Sequence, residues 1–118
     1  MKQYIHQYKQ LCSKLTDGTT KKAIRSYNKT ITELNALEKE IRQLDEETVI
    51  SIAEILLDDP EPRVRVHAAA FCVTAGLRVH KQKAMAVFNS VNRKDYPSDT
   101  WGLVAHFMFC IRMGEYDF

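Results

Sequence analysis

Residues 56–71 read LLDDPEPRVRVHAAAF, and this stretch decides the predicted fold. An apolar helix end runs into an acidic turn, where Pro60 interrupts the helix because proline disfavours helical geometry in the residue before it. Val64 and Arg65 then open an alanine-rich helix, and Pro62 fits its first turn, where a missing N–H costs nothing. The pattern predicts two antiparallel helices packed as one unit of a stacked array, an architecture that works by presenting a binding surface.

Helical periodicity extends over the rest of the chain. The strongest signal lies in residues 20–44, where Ile31, Leu34 and Ile41 belong to an apolar stripe that a single carboxylate, Glu38, interrupts. No segment sustains the period of two that a half-buried strand requires, so no strand is predicted. The predicted helices cover residues 3–15, 20–44, 49–57, 63–75, 80–92 and 99–113.

Residues that favour helix ends lie between these segments. Asp17-Gly18 is expected to end the first helix, since glycine accepts the left-handed conformation of a helix end. Thr19 or Thr20 is expected to cap the second helix, and Ser98 or Asp99 the sixth, because these side chains accept a bond from a free backbone N–H.

The composition is that of a globular chain of one domain. The chain has 118 residues, of which 45% are hydrophobic and 27% charged, values that are ordinary for such a domain. Its net charge of +2, from 17 basic and 15 acidic residues, gives no overall field that would attract nucleic acid.

Cysteine usage and apolar runs bear on the location of the chain. Cys12, Cys72 and Cys110 are odd in number and lack the spacing of metal ligands, so reduced thiols in a reducing compartment are expected. The N-terminus has no apolar leader segment, and no apolar run approaches the roughly 20 residues that span a bilayer. A cytoplasmic protein without a membrane partner is therefore expected.

The turn and its second helix resemble the HEAT repeat. Asp59-Pro60 stands where that family breaks the turn, Val64-Arg65 stands where it opens the second helix, and Ala68-Ala69 matches its paired small residues. The resemblance covers residues 48–78, about a quarter of the chain, and a weaker echo without the arginine follows at residues 101–105. In size and layout the chain is similar to a small bacterial HEAT-like family of uncharacterised function.

This resemblance implies an architecture and a class of function. It implies an all-α fold of about six antiparallel helices, stacked as a short HEAT-like or ARM-like right-handed superhelix. Residues 1–118 would form one domain, with a helical cap at 1–46, the HEAT-like pair at 47–78 and a second, degenerate pair at 79–118. Some HEAT-like proteins serve bacteria as immunity partners of secreted toxins, which makes binding of another protein the expected function.

The sequence contains few candidate catalytic residues. The histidines have no metal-ligand spacing, and the expected role of each is packing or solvation. Cys110 follows His106 by four residues and could touch it, but the apolar residues around the pair argue for a core position. No catalytic, metal or cofactor-binding residue is predicted, so the chain is expected to be non-enzymatic.

Acidic residues cluster at the predicted helix junctions. They can cap and solvate the helices, or form a rim that docks a basic protein such as a toxin. The predicted partner-binding residues are Glu38, Asp45, Glu46, Glu47, Asp58, Asp59 and Glu61.

Basic residues bracket the fourth helix and suggest an alternative. A HEAT-like solenoid could track a phosphate backbone with Arg63, Arg65, Arg78, Lys81 and Lys83. The acids between them keep the net field small, and Arg65 is better interpreted as reaching a carboxylate or helix-end carbonyls within its own repeat. A third alternative is a structural adaptor that associates through the helix at 101–113, and a monomer or weak homodimer is expected.

Overall fold

The computed structural model describes residues 1–15 and 18–118 as an all-α protein. The helices are α1 (Lys2–Ser13), α2 (Lys21–Arg42), α3 (Glu46–Leu57), α4 (Pro62–Ala75), α5 (Lys81–Asn89) and α6 (Ser98–Arg112), with a 3₁₀ turn at Arg78–His80 before α5. No strand is present in these described ranges. The six predicted helices are confirmed, although α5 is shorter than predicted because the 3₁₀ turn precedes it and a loop follows it.

Helix α4 occupies the centre of the fold. It contacts α1, α3, α5 and α6, and nine of its 14 residues are buried. A helix that is apolar around its whole circumference has no face for solvent, which accounts for this position. Ala68 and Ala69 have no exposed surface, and their small side chains permit close packing against the neighbouring helices.

Local sequence explains where α2 and α3 begin. Thr20 accepts a hydrogen bond of 3.1 Å from the backbone N–H of Ala23, which confirms one of the two candidate caps. Asp45 accepts bonds from the backbone N–H of Thr48 at 3.2 Å and from its hydroxyl at 2.7 Å, and these bonds lower the pKa of the Asp45 carboxyl. Helix α3 therefore begins at Glu46, three residues earlier than predicted, since acids favour the positive end of a helix.

The ends of α4 also follow from the sequence. Pro62 occupies the first turn as predicted, and Gly76 ends the helix with a left-handed φ of 67°. Helix α6 begins at Ser98, and Pro97 occupies the cap position instead of the predicted Ser98 or Asp99. Helix α1 ends at Ser13 with Lys14 at its C-cap, so the prediction that Gly18 ends this helix is wrong; Asp17 lies outside the described residues.

Several apolar residues lie where periodicity does not place them. Ile24 opens the apolar stripe of α2 yet is 47% exposed, and Phe109, expected in the core of α6, is 59% exposed. The C-terminal tail folds back, because Phe118 is buried and the ring of Tyr116 stacks on Phe107 with centroids 5.8 Å apart.

The whole chain packs closely. The Cα radius of gyration is 13.7 Å, against about 13.5 Å for a compact domain of this length. Within the described part of the chain, no helix has the length and apolar character needed to cross a bilayer. The antiparallel, right-handed stacking of the HEAT-like array stays a prediction.

Candidate functional site

A cleft of about 310 Å³ lies between α2, α4 and α6. Its walls are largely apolar, with Leu34 from α2, Phe71 from α4 and Phe107 from α6. The polar residues that line it are Asn35, Glu38, Arg42, His67, Thr74 and His106. A concave, mainly apolar site with a few polar groups is the usual form of a binding site.

Glu38 is one of two strongly perturbed groups in this cleft. The phenol of Tyr8 donates a hydrogen bond of 2.9 Å to its Oε2. Burial raises the pKa of the Glu38 carboxyl from its ordinary 4.5 to about 7, against the lowering effects of the Tyr8 bond and of Arg42. Burial and the nearby Glu38 also raise the pKa of the Tyr8 phenol well above 10.0. A carboxyl that titrates near neutral pH in a cleft marks a candidate functional residue.

His67 enters the cleft from α4 as a neutral imidazole. It is 8% exposed, and burial, followed by the charge of Arg63, lowers its pKa from 6.5 to about 4. His106 lines the same cleft from α6, is exposed, and meets the ring of Phe107 edge-on at a centroid distance of 5.3 Å. Neutral pH therefore leaves no positive charge on His67.

A half-buried polar cluster joins α2, α4 and α6. The carboxylate of Asp99 pairs with Arg63 and accepts a hydrogen bond of 2.9 Å from the hydroxyl of Tyr27. Its second oxygen, Oδ1, is buried and is the one such side-chain atom without a hydrogen-bond partner among the described residues. The larger hollow of about 440 Å³ beside this cluster is lined by Arg63, whose charge Asp99 already neutralises. We therefore take the smaller cleft as the better candidate site.

The three thiols are held in the protonated form. Burial raises the pKa values of Cys12 and Cys72 to about 12, and a bond with Glu115 together with burial raises that of Cys110. The predicted contact of Cys110 with His106 forms, with Sγ 3.7 Å from Nε2. A thiol that resists ionisation is a poor nucleophile even beside an imidazole.

The predicted acidic residues fall into separate groups. Glu38 lies in the cleft, whereas Asp45, Glu46 and Glu47 are exposed at the start of α3. The remaining acids lie beyond the other end of α3, roughly 18 Å away by the rise of a 12-residue helix.

At that far end two of the three acids have structural partners. Asp59 is 8% exposed, pairs with Lys9 at 2.8 Å and accepts a 2.9 Å bond from the backbone N–H of Glu61. Asp58 is exposed and pairs with Lys83 at 2.8 Å. Glu61 is exposed just before α4.

Four of the five predicted basic residues make internal contacts. Arg63 pairs with Asp99 and Arg78 with Asp117, and Lys83 pairs with Asp58. Arg65 donates to the carbonyl oxygens of Asp59 at 2.8 Å and Pro60 at 3.0 Å, which lie in the turn after α3 and not at the helix end itself. It therefore bonds backbone carbonyls, close to the role expected for it. Lys81 is exposed.

Sequence reasoning missed the partners that define the site. Tyr8 reaches Glu38 across 30 residues and Tyr27 reaches Asp99 across 72, distances at which periodicity carries no information. One signal was available, since Glu38 interrupts the apolar stripe of α2 and a carboxylate on a buried face needs a partner.

Comparisons of the chain with protein-family models, with curated proteins and with solved structures found no significant match. The similarity to the HEAT repeat therefore stays a prediction from residues 48–78. Within residues 1–15 and 18–118, no group of three or more His, Cys, Asp or Glu side chains could hold a metal ion.

Proposed function

We propose that this chain is a non-enzymatic protein–protein interaction module that binds a basic protein. In its most concrete form it is a cytoplasmic inhibitor of the bacterial immunity kind, which masks a basic toxin with a HEAT-like helical scaffold. Binding would cover the functional surface of the partner, so that the mechanism is steric.

This choice rests on one difference between the predicted basic and acidic residues: most of the basic residues make internal contacts, whereas several of the acidic residues are exposed. Among the basic residues, Arg63, Arg65, Arg78 and Lys83 are held by internal contacts. Among the acidic residues, Asp45, Glu46 and Glu47 are exposed together at one helix start. Within these two candidate sets, the acids at the start of α3 face solvent whereas most of the bases have internal partners, and this contrast favours a basic partner over a phosphate backbone.

The exposed acids would act mainly on the rate of association. Complementary charge at the rim of an interface steers the encounter and raises the association rate more than it adds affinity. Salt screens such steering, because the Debye length falls from about 10 Å at 0.1 M to about 3 Å at 1 M.

The state of the thiols supports a non-enzymatic role. Nucleophilic chemistry at Cys12, Cys72 or Cys110 would need a thiolate. Burial raises the pKa values of Cys12 and Cys72, and the bond with Glu115, followed by burial, raises that of Cys110.

Capture of partners from the native host tests the proposal. The tagged chain is incubated with nuclease-treated lysate, and the recovered proteins are identified by mass spectrometry. We expect one basic protein whose association rate falls severalfold at low salt with the double variant Glu46→Gln, Glu47→Gln. The control, Glu33→Gln with Glu40→Gln, changes two exposed acids of α2 and should leave that rate unchanged. Recovery of no protein from this lysate, or of nucleic acid alone from an untreated one, would refute the proposal.

Helix α6 favours a second candidate, the structural adaptor or weak homodimer. Phe109 is 59% exposed and Met113 62%, and they lie one helical turn apart. Sedimentation velocity at rising protein concentration distinguishes the two: an adaptor of this kind should self-associate, and Phe109→Ser should abolish the association. A monomer at all concentrations would rule this candidate out.

A further inference from the structure

We propose that the cleft between α2, α4 and α6 receives a lysine side chain of the partner protein, with its ammonium group beside Glu38. This inference rests on the proposed function, because it gives the basic partner a specific anchoring residue. It also assigns Glu38 a role that differs from those of the exposed acids.

The lining of the cleft fits the shape of lysine. Lysine has an apolar four-carbon stem and a charged tip, and it packs the stem on apolar surface while the tip finds a polar partner. Leu34, Phe71 and Phe107 supply apolar surface to the cleft, and Glu38 supplies the carboxylate.

The hydrogen bond from Tyr8 favours lysine over arginine. Arginine binds carboxylates best with two parallel bonds, one to each oxygen. Tyr8 already donates to one lone pair of Oε2 of Glu38, so an arginine fork would have to share that oxygen with the Tyr8 bond. The ammonium of lysine acts as a point charge and needs no such pair.

The groups around Glu38 leave its charge largely unopposed. The ionisable neighbours are Tyr8 and Cys12 of α1, Cys72 and His67 of α4, His106 of α6, and Arg42 of α2 itself. The phenol and both thiols stay protonated because their pKa values are raised, and His67 is neutral. Arg42 is exposed, so solvent weakens its attraction for the carboxylate.

Binding should therefore be coupled to loss of a proton. At neutral pH about half of the Glu38 carboxyls are protonated, because burial raises the pKa to about 7. Only the ionised form attracts an ammonium, so the affinity should fall about tenfold between pH 8 and pH 6, in proportion to the ionised fraction.

Titration followed by ¹H–¹⁵N spectra of the full chain tests the inference. The probe is lysine blocked at both backbone ends, Nα-acetyl-lysine methylamide, and its matched control is the same derivative of norleucine, which has an equal stem without the ammonium. We expect millimolar binding of the lysine probe at pH 8, since one side chain supplies few atoms. The shifts should map to residues that line the cleft, weaken about tenfold at pH 6, and be absent with norleucine.

Protein variants separate the role of Glu38 from general effects. Glu38→Gln keeps the shape and should reduce the shifts at least tenfold, whereas the exposed Glu40→Gln should not change them. His106→Gln should retain the pH dependence, which assigns it to Glu38. The pH series on the unaltered chain decides the question even if Glu38→Gln fails to fold.

Three outcomes would overturn the inference. Equal shifts with norleucine would show that the cleft recognises only an apolar stem. Lysine binding that does not weaken at pH 6 would remove Glu38 from the site. Cleft shifts that grow with protein concentration alone would assign the cleft to a second copy of the chain. Each of these leaves capture of a basic protein untouched, so failure of the inference and failure of the proposed function are distinguishable.

Discussion

Replacing Glu38 with glutamine should stabilise the protein at high pH and change little at low pH. The half-buried carboxyl is easily accommodated when it is protonated, but its ionisation is unfavourable where the cleft removes water from it. Glutamine is neutral at every pH, has nearly the same shape, and can still accept the hydrogen bond that Tyr8 donates.

The direction and size of this pH-dependent change in stability follow from the pKa of Glu38. Its folded-state value of about 7 lies above the ordinary 4.5, so the folded protein binds the proton more tightly than the unfolded chain does. The stability from this group is therefore fully present below pH 4.5 and is lost as pH rises through 7. With 1.36 kcal/mol per pKa unit, the loss between pH 5 and pH 8 is about 2.5 kcal/mol.

Urea unfolding at pH 5 and pH 8 measures this difference. The free energy of unfolding of Glu38→Gln, minus that of the unaltered chain, should be about 2.5 kcal/mol larger at pH 8 than at pH 5. Other titrating groups cancel because both proteins are compared at the same pH. Glu40→Gln serves as the control, since this side chain is exposed on the same helix, and its difference should not vary with pH. A pH-independent difference for Glu38→Gln would refute the assignment of a raised pKa.

The remaining predictions concern other features of the fold. His67→Gln should show the opposite pH dependence, because the pKa of His67 is lowered to about 4. As pH falls from 7 to 4, the free energy of unfolding of the unaltered chain should drop by about 3 kcal/mol relative to that of the variant, measured by the same unfolding series. Arg65→Met should cost about 1–3 kcal/mol in urea unfolding, because two carbonyl groups of the turn between α3 and α4 lose their donor; a cost as small as that of the exposed Lys81→Met would contradict it. Thr20→Ala should cost about 1 kcal/mol through loss of the α2 cap, whereas Thr19→Ala should be nearly neutral.

The effects of Glu38 and His67 on stability partly cancel, so the pH dependence of unfolding of the unaltered chain alone would reveal neither of them. The two residues line one cleft, and their linkage effects have opposite signs over nearly the same pH range. Between about pH 4.5 and pH 6.5 the stability that Glu38 loses on raising the pH is offset by the stability that His67 gains. Each single variant removes one effect and exposes the other.

Local features of the fold were predictable from the sequence because they depend on nearby residues. Thr20, Pro62 and Gly76 act within a few residues of a helix end, where capping rules apply directly. The role of Arg65 was also predictable, since the carbonyl groups it bonds lie five and six residues away.

Long-range placement was not predictable in the same way. Helix α6 carries apolar residues on more than one face, so its sequence does not determine that Phe107 is buried and Phe109 exposed. The Asp99 carboxylate was expected to cap its own helix, but Arg63 and Tyr27 engage it from α4 and α2. Such outcomes depend on tertiary packing, which local propensity does not encode.

Calorimetric titration of the captured protein into the purified chain decides whether this chain binds a basic protein. The experiment uses nuclease-treated components at 50 mM and 500 mM salt, at pH 8. We expect saturable binding at both salt concentrations, weaker at 500 mM salt and weaker again with Glu38→Gln. Absence of saturable binding, or binding that requires added nucleic acid, would refute binding of a basic protein.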